Sequence, residues 1–191
     1  MKSVNPIREI KKIEDIKKLL ENKRNELLFI MGINSALRVS DLLRLTIGDV
    51  IDEDGNLKDA VTLKEKKTDK TKEFILNKSV KQALSVYLED RKANKQPIAS
   101  DSPLFLSRKS YKAINRGQAW QILHDIGQRV GLEKIAPHSL RKTFGYQVYK
   151  KSGHNIGLVQ KLLNHSSSAD TLRYIGIEQE ELNAAYLELN L

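Results

Sequence analysis

The run Pro137–Ile175, PHSLRKTFGYQVYKKSGHNIGLVQKLLNHSSSADTLRYI, decides how the rest of the chain is read. Its first part reads as a helix that ends at Gly153, just after Lys150 and Lys151, where a glycine is a stop signal. IGLVQKLLN and then the segment holding Tyr174 follow as further helical pieces. If Ser139 caps the first helix, His138 and Arg141 project from nearly the same side of its first turn. A helix N-terminus is also where phosphate is welcome. His165 and Tyr174 stand nine positions apart in a chain without cysteine or a metal-ligand cluster. Taken alone, PHSLRKTFGY reads as a surface helix with scattered basic residues, and His165 and Tyr174 as either core residues or a pair facing one substrate, so the surrounding sequence has to decide.

Toward the N-terminus the helical periodicity recurs. Ile13, Ile16, Leu19 and Leu20 fall on one face, and after the polar ENKRN comes ELLFIMGI, so two opening helices are expected. A third is expected near RVSDLLRL, with Ser40 as N-cap and Asp41 as a first-turn anion. There Leu42, Leu43 and Leu45 supply the buried side and Arg44 a solvated one. Between Asp49 and Asn77 the runs DVI, AVTL and EFIL, separated by DEDGN and EKKTDKTK, predict a small antiparallel sheet with two turns. Helices then resume. Ser79 is expected to cap a run carrying Val80, Leu84, Tyr87 and Leu88, and a run from about Gln118 carries Trp120, Leu123, Ile126 and Val130 before stopping at Gly131. The fold class is therefore mainly α with a small antiparallel β-sheet, α+β. Neither a repeat nor a low-complexity linker divides the chain, so residues 1–191 are expected to form a single domain.

A chain of 191 residues can bury a sizeable core without staples. The absence of cysteine removes disulfides, thiolate metal sites and thiol nucleophiles, and fits a reducing compartment. Lys and Arg number 33 against 24 Asp and Glu, giving a formal charge of +9, which puts nucleic acid first among partners, with an ordinary lysine-rich surface as the plainer account. The N-terminus MKSVNPIREIKKIEDIKKLL has no apolar core of signal-peptide length, and no window approaches a membrane span. A soluble, cytoplasmic, nucleoid-associated protein with no membrane partner is expected.

Four segments in order resemble the catalytic domain of the tyrosine recombinase (phage integrase) family. Arg38 in ALRVSDLLRL matches the first box, an arginine within G-L-R-x-S-[ED]-L-L-x-L. Lys67 in EKKTDKTKEFIL matches the hairpin lysine before threonine, with Lys64, Lys66, Lys70 and Lys72 close enough for the register to slip. HSLRKTF supplies His138 and Arg141, and LNH supplies His165, followed nine residues later by Tyr174. The boxes span about 140 of the 191 residues. Ala36 and Asn164 stand where the family prefers glycine, and Lys142 where it often has histidine. Members of the family normally carry a helical core-binding domain ahead of the catalytic one. With about 37 residues before Arg38, none is expected here.

The resemblance implies the tyrosine recombinase fold and DNA strand transfer without ATP, metal or another cofactor. A phenoxide serves both as nucleophile and as leaving group. Two forked guanidinium groups, Arg38 and Arg141, meet the charge that develops on the phosphate. By the same resemblance His138 accepts the phenol proton or holds the phosphate, His165 donates to a non-bridging oxygen, and Lys67 protonates the departing 5′-oxygen. Asp41 either orients a basic partner or simply suits the helix dipole. Tyr146 and Tyr149 read as packing residues, and Tyr186 lies on the apolar stripe of the tail.

The partner implied is double-stranded DNA. Type IB topoisomerase-like relaxation and a catalytically silent DNA-binding accessory role are the competing readings. In EQEELNAAYLELNL, Leu182, Ala185, Tyr186 and Leu189 form one stripe. Either it folds back on its own domain, or, as the resemblance implies, the C-terminal segment passes to a neighbouring protomer within a tetrameric synapse, with Gly176 as the joint.

Overall fold

The computed structural model describes residues 4–67, 69–177, 183 and 186–189. The two opening helices form as expected: α1 (Ile10–Leu19) buries Ile13 and Ile16, and α2 (Lys23–Asn34) starts where the Asn22 side chain accepts from the Asn25 N–H at 3.2 Å. Leu27 to Gly32 of α2 are all buried, since this helix is covered on several sides. Then follow α3 (Val39–Leu42), α4 (Ile47–Val50), β1 (Ala60–Lys64), β2 (Thr71–Ile75), α5 (Lys78–Ala93), α6 (Arg116–Arg129), α7 (Pro137–Lys151), α8 (Ile156–Leu163) and α9 (Ser168–Ile175). Among the described residues the fold is helical with one small antiparallel sheet, and none of its helices is long and apolar enough to cross a membrane.

Helix α2 packs on α5 and α7. At Gly32 an added Cβ would lie 2.4 Å from Leu140 Cδ1, so the missing side chain is what lets α2 and α7 approach. On the other side of α7, a Cβ at Gly145 would come within 2.7 Å of Ile175 and 3.0 Å of Leu163. These two contacts set α7 between the main core and a second apolar cluster of Ala36, Tyr146, Val159, Leu163 and Ile175. Tyr149 and Tyr174 pack against the edge of that cluster. Helix α7 carries Arg141 and α9 carries Tyr174, so close packing at the two glycines fixes their separation.

Several local expectations are corrected. The sheet has two strands, not three, because Thr46 and Asp49 form a capping box that turns DVI into the end of α4. Ile51 makes only an isolated bridge to Leu57. Helix α3 begins after Arg38, so Ser40 lies inside it instead of capping it. Asn77, not Ser79, caps α5 by accepting from the Val80 N–H at 3.1 Å. Helix α7 begins at Pro137 after Ala136, and Ser139 Oγ accepts from the Ala136 N–H within its first turn. Trp120 is 44% exposed and stacks on His124, while Ala119 takes the inner position of α6.

Two departures from the family's glycines have a backbone meaning. Ala36 and Asn164 both adopt left-handed conformations, at φ +54° and +52°. Asparagine tolerates this region through its short polar side chain, whereas alanine meets a steric cost there.

Candidate active site

Arg38, at the N-terminal edge of α3, donates from Nη1 to Glu65 Oε1 at 2.7 Å. Arg141, in the second turn of α7, places its own Nη1 3.8 Å from the same carboxylate oxygen. Glu65 is 1% exposed and directly follows β1, whose alternation turns Val61, Leu63 and Glu65 toward one face. A buried anion thus draws two arginines together from elements far apart in sequence. Arg141 Nη2 also donates to Leu163 O at 2.5 Å, and Arg141 Nη1, although buried, has no hydrogen-bond partner among the described residues. Two cations with a donor to spare suit an oxyanion.

Asp41, in the first turn of α3, is 1% exposed; Oδ1 accepts from the Lys66 N–H at 2.9 Å, so it pins the backbone of the hairpin, and its charge also acts on Arg141 and Lys72. Lys67, next in sequence, is exposed at the hairpin turn. It lines a cleft of about 860 Å³ together with Arg38, Arg44, Lys66, Arg116 and His138. Arg44 and Arg116 were not among the expected site residues, and their basic side chains add to the positive lining.

Tyr174 lies near the end of α9, which Ser167 caps by accepting from the Asp170 N–H at 3.0 Å. Its ring meets the His165 ring edge-on at 4.8 Å between centroids, and Lys142 Nζ lies 5.3 Å from its ring centre. Burial pushes the phenol above its ordinary pKa, opposed by the charges of Arg141 and Arg38. A phenol in this surrounding stays protonated until a base takes its proton.

His165 Nδ1 lies 3.2 Å from Thr171 Oγ1, and that hydroxyl gives its one proton to Ser167 O at 2.7 Å. The ring must therefore donate through Nδ1, leaving Nε2 as acceptor while the imidazole is neutral. Thr171 was not anticipated; the T-x-x-Y spacing ahead of Tyr174 was its only signal. Burial first, then the charge of Arg141, holds the pKa values of His138 and His165 below the usual 6.5. The folded chain thus resists protons that the unfolded chain accepts, and stability is lost as pH falls below 6.5. The melting temperature of the DNA-free protein is expected to drop between neutral pH and pH of about 5, and the drop should shrink in His138→Asn and His165→Asn. A drop in both variants as large as that of the wild type would contradict this.

All six expected site residues therefore converge on one face. Arg38 and Arg141 share the Glu65 anchor, the His165–Tyr174 pair feels the charges of both arginines, and Lys67 and His138 share a cleft wall with Arg38. The phage integrase family model matches residues 8–181. The chain belongs to the phage integrase family. The Bacillus subtilis protein described as probable integrase/recombinase YoeC is 43% identical over 188 residues, 97% of either chain. Tyrosine recombinase XerA of Pyrococcus furiosus is 30% identical over 186 residues, 93% of this chain but 60% of that relative. Among solved structures, the site-specific recombinase XerH in its post-cleavage complex with difH substrate superposes with a TM-score of 0.74 at 26% identity, covering 95% of this chain and 51% of XerH. The chain thus spans a little over half the length of the longer tyrosine recombinases and nearly the whole of YoeC. It has the tyrosine recombinase catalytic fold, and the resemblance drawn from four short boxes is confirmed as a family relationship over most of the sequence.

Proposed function

We propose that this integrase-family domain cleaves and rejoins double-stranded DNA as a site-specific recombinase, through a 3′-phosphotyrosyl intermediate at Tyr174. The observation that carries the reading is the convergence of Arg38 and Arg141 on one buried carboxylate oxygen, beside the Tyr174–His165 pair. In the forward step the Tyr174 oxygen forms a bond to phosphorus and gives its proton to His138. The bond from phosphorus to the 5′-oxygen breaks, and Lys67 supplies the proton that this oxygen takes. The arginines meet the charge on the non-bridging oxygens. For His165 to donate to one of those oxygens it takes up a second proton at Nε2, which the neighbouring phosphate favours. Rejoining reverses each transfer, so one phosphodiester is exchanged for another and no energy source is consumed.

The same reading places the protein in the cytoplasm on the nucleoid, acting as a single catalytic domain that self-associates on DNA into a tetrameric synapse. The C-terminal segment supports the assembly. Leu182 and Ala185 of its expected stripe lie outside the described residues, but Tyr186, Leu187 and Leu189 are 78%, 82% and 62% exposed. Gly176 closes α9 at φ +76°, a backbone joint that L side chains rarely adopt.

Incubation with a nicked duplex carrying the recognition site is expected to yield a covalent protein–DNA band on a denaturing gel, lost completely in Tyr174→Phe. A band that persists in the variant would assign the nucleophile elsewhere, and none in the wild type would favour a silent DNA-binding role. Exchange between two labelled duplexes separates a recombinase from a relaxing enzyme.

A further inference from the structure

Lys72 lies on β2 two residues before the buried Phe74 and opposite Leu63, so the strand alternation turns it inward. Its Nζ donates to two carbonyl oxygens, Ala36 O at 3.2 Å and Leu162 O at 3.0 Å. Ala36 precedes Arg38 by two residues, in the left-handed turn that feeds α3. Leu162 precedes His165 by three residues, in the last turn of α8, where unpaired carbonyls concentrate the negative end of the helix dipole. The next carbonyl, Leu163 O, receives Arg141 Nη2. One ammonium group therefore joins the hairpin that bears Lys67 and Glu65 to the turn that delivers Arg38 and to the helix end that delivers His165.

We propose that Lys72 is a positioning residue for strand cleavage, holding Arg38 and His165 at the reacting phosphate through Ala36 O and Leu162 O while Lys67 alone supplies the leaving-group proton. The proposal rests on the recombinase reading given above. Two of the three ammonium protons are committed to backbone acceptors, whereas Lys67 stands exposed in the cleft beside Arg38 and His138. Burial first, then the charge of Arg141, draws the Lys72 pKa down to about 8, against the pull of Glu65, with Arg38 lowering and Asp41 raising it further. That value suits a general acid, so the two lysines compete for the role and geometry must separate them.

A duplex with sulfur in place of the bridging 5′-oxygen at the cleavage site makes the separation, because a thiolate leaves without needing a proton. On ordinary DNA, Lys67→Ala and Lys72→Met are both expected to form the Tyr174 adduct at least about tenfold more slowly. At saturating duplex, Lys67→Ala should recover the wild-type rate on the sulfur substrate and Lys72→Met should not. Lys72→Arg, which keeps the charge and donors, should cleave faster than Lys72→Met, and it serves for the same comparison if the methionine variant melts early. Rescue of either Lys72 variant by sulfur would make Lys72 the proton donor and overturn the assignment, as would wild-type rates for Lys72→Met on ordinary DNA. Adduct formation by the wild type reads out the function itself, so its absence on both substrates would overturn both.

Discussion

Arg38→Ala is expected to slow strand cleavage by about two to three orders of magnitude, the usual cost of removing one preorganised donor from a developing oxyanion. Duplex affinity should change far less, because phosphate contacts spread along the backbone supply most of it. Arg141→Ala should lose as much rate, and stability too. Its guanidinium is 3% exposed between Leu163 O and Glu65, so removal leaves a buried carboxylate with fewer partners, at a cost of about 3–5 kcal/mol, or a melting point lower by roughly 6–20 °C. Arg38 is the more exposed of the two and also bonds Glu65, so its loss should leave the fold closer to intact. If the two guanidinium groups act as one clamp, the double variant should cleave no more slowly than the worse single variant. Quench-flow or gel rates on a nicked substrate, beside binding isotherms at fixed salt, decide this. Equal losses in binding and cleavage would mean that the arginines merely hold DNA.

The clamp also marks the limit of what could be read from the sequence. Arg38, His138, Arg141, His165 and Tyr174 were legible because each box has a fixed spacing and the boxes follow in one order. Their mutual anchor, Glu65, was not, although the alternation through AVTLKE puts it on the face of Val61 and Leu63. Its place in a lysine-rich turn made it look like a solvated charge. Lys72 was obscured in the same way, as one of five lysines whose roles depend on strand register, and Phe74, two residues on, was the available signal for its inward face. The α5 cap moved because Asn and Ser differ little as N-caps, so tertiary contacts choose between Asn77 and Ser79. Helix α7, by contrast, starts early because Pro137 suits the first helical position and Ser139 Oγ takes the Ala136 N–H. Trp120 misled by size. The inner positions of α6 belong to Ala119, Leu123, Ile126 and Gly127, where small residues allow close packing and an indole does not fit.

Removal of the chain from Gln179 onward is expected to abolish DNA-dependent assembly and strand exchange while leaving a folded domain that still attacks a nicked substrate slowly. Tyr186, Leu187 and Leu189 project into solvent from the helical turn 186–189, so deleting them withdraws little from the core of the same protomer. Changes at such exposed positions ordinarily alter stability by no more than about 0.5 kcal/mol. An apolar group held out in this way on a chain of charge +9 needs cover that a polyanion does not provide. Under the proposed function a second copy of the chain would provide it, and hand-over after Gly176 would bring the neighbour to bear on the helix that carries Tyr174, linking assembly to the position of the proposed nucleophile. Sedimentation of full-length and shortened chains on the same duplex measures the assembly, and labelled-site exchange measures the outcome. A shortened chain that unfolds would make the tail part of its own core, and one that assembles and exchanges normally would remove the tail from the contact between protomers.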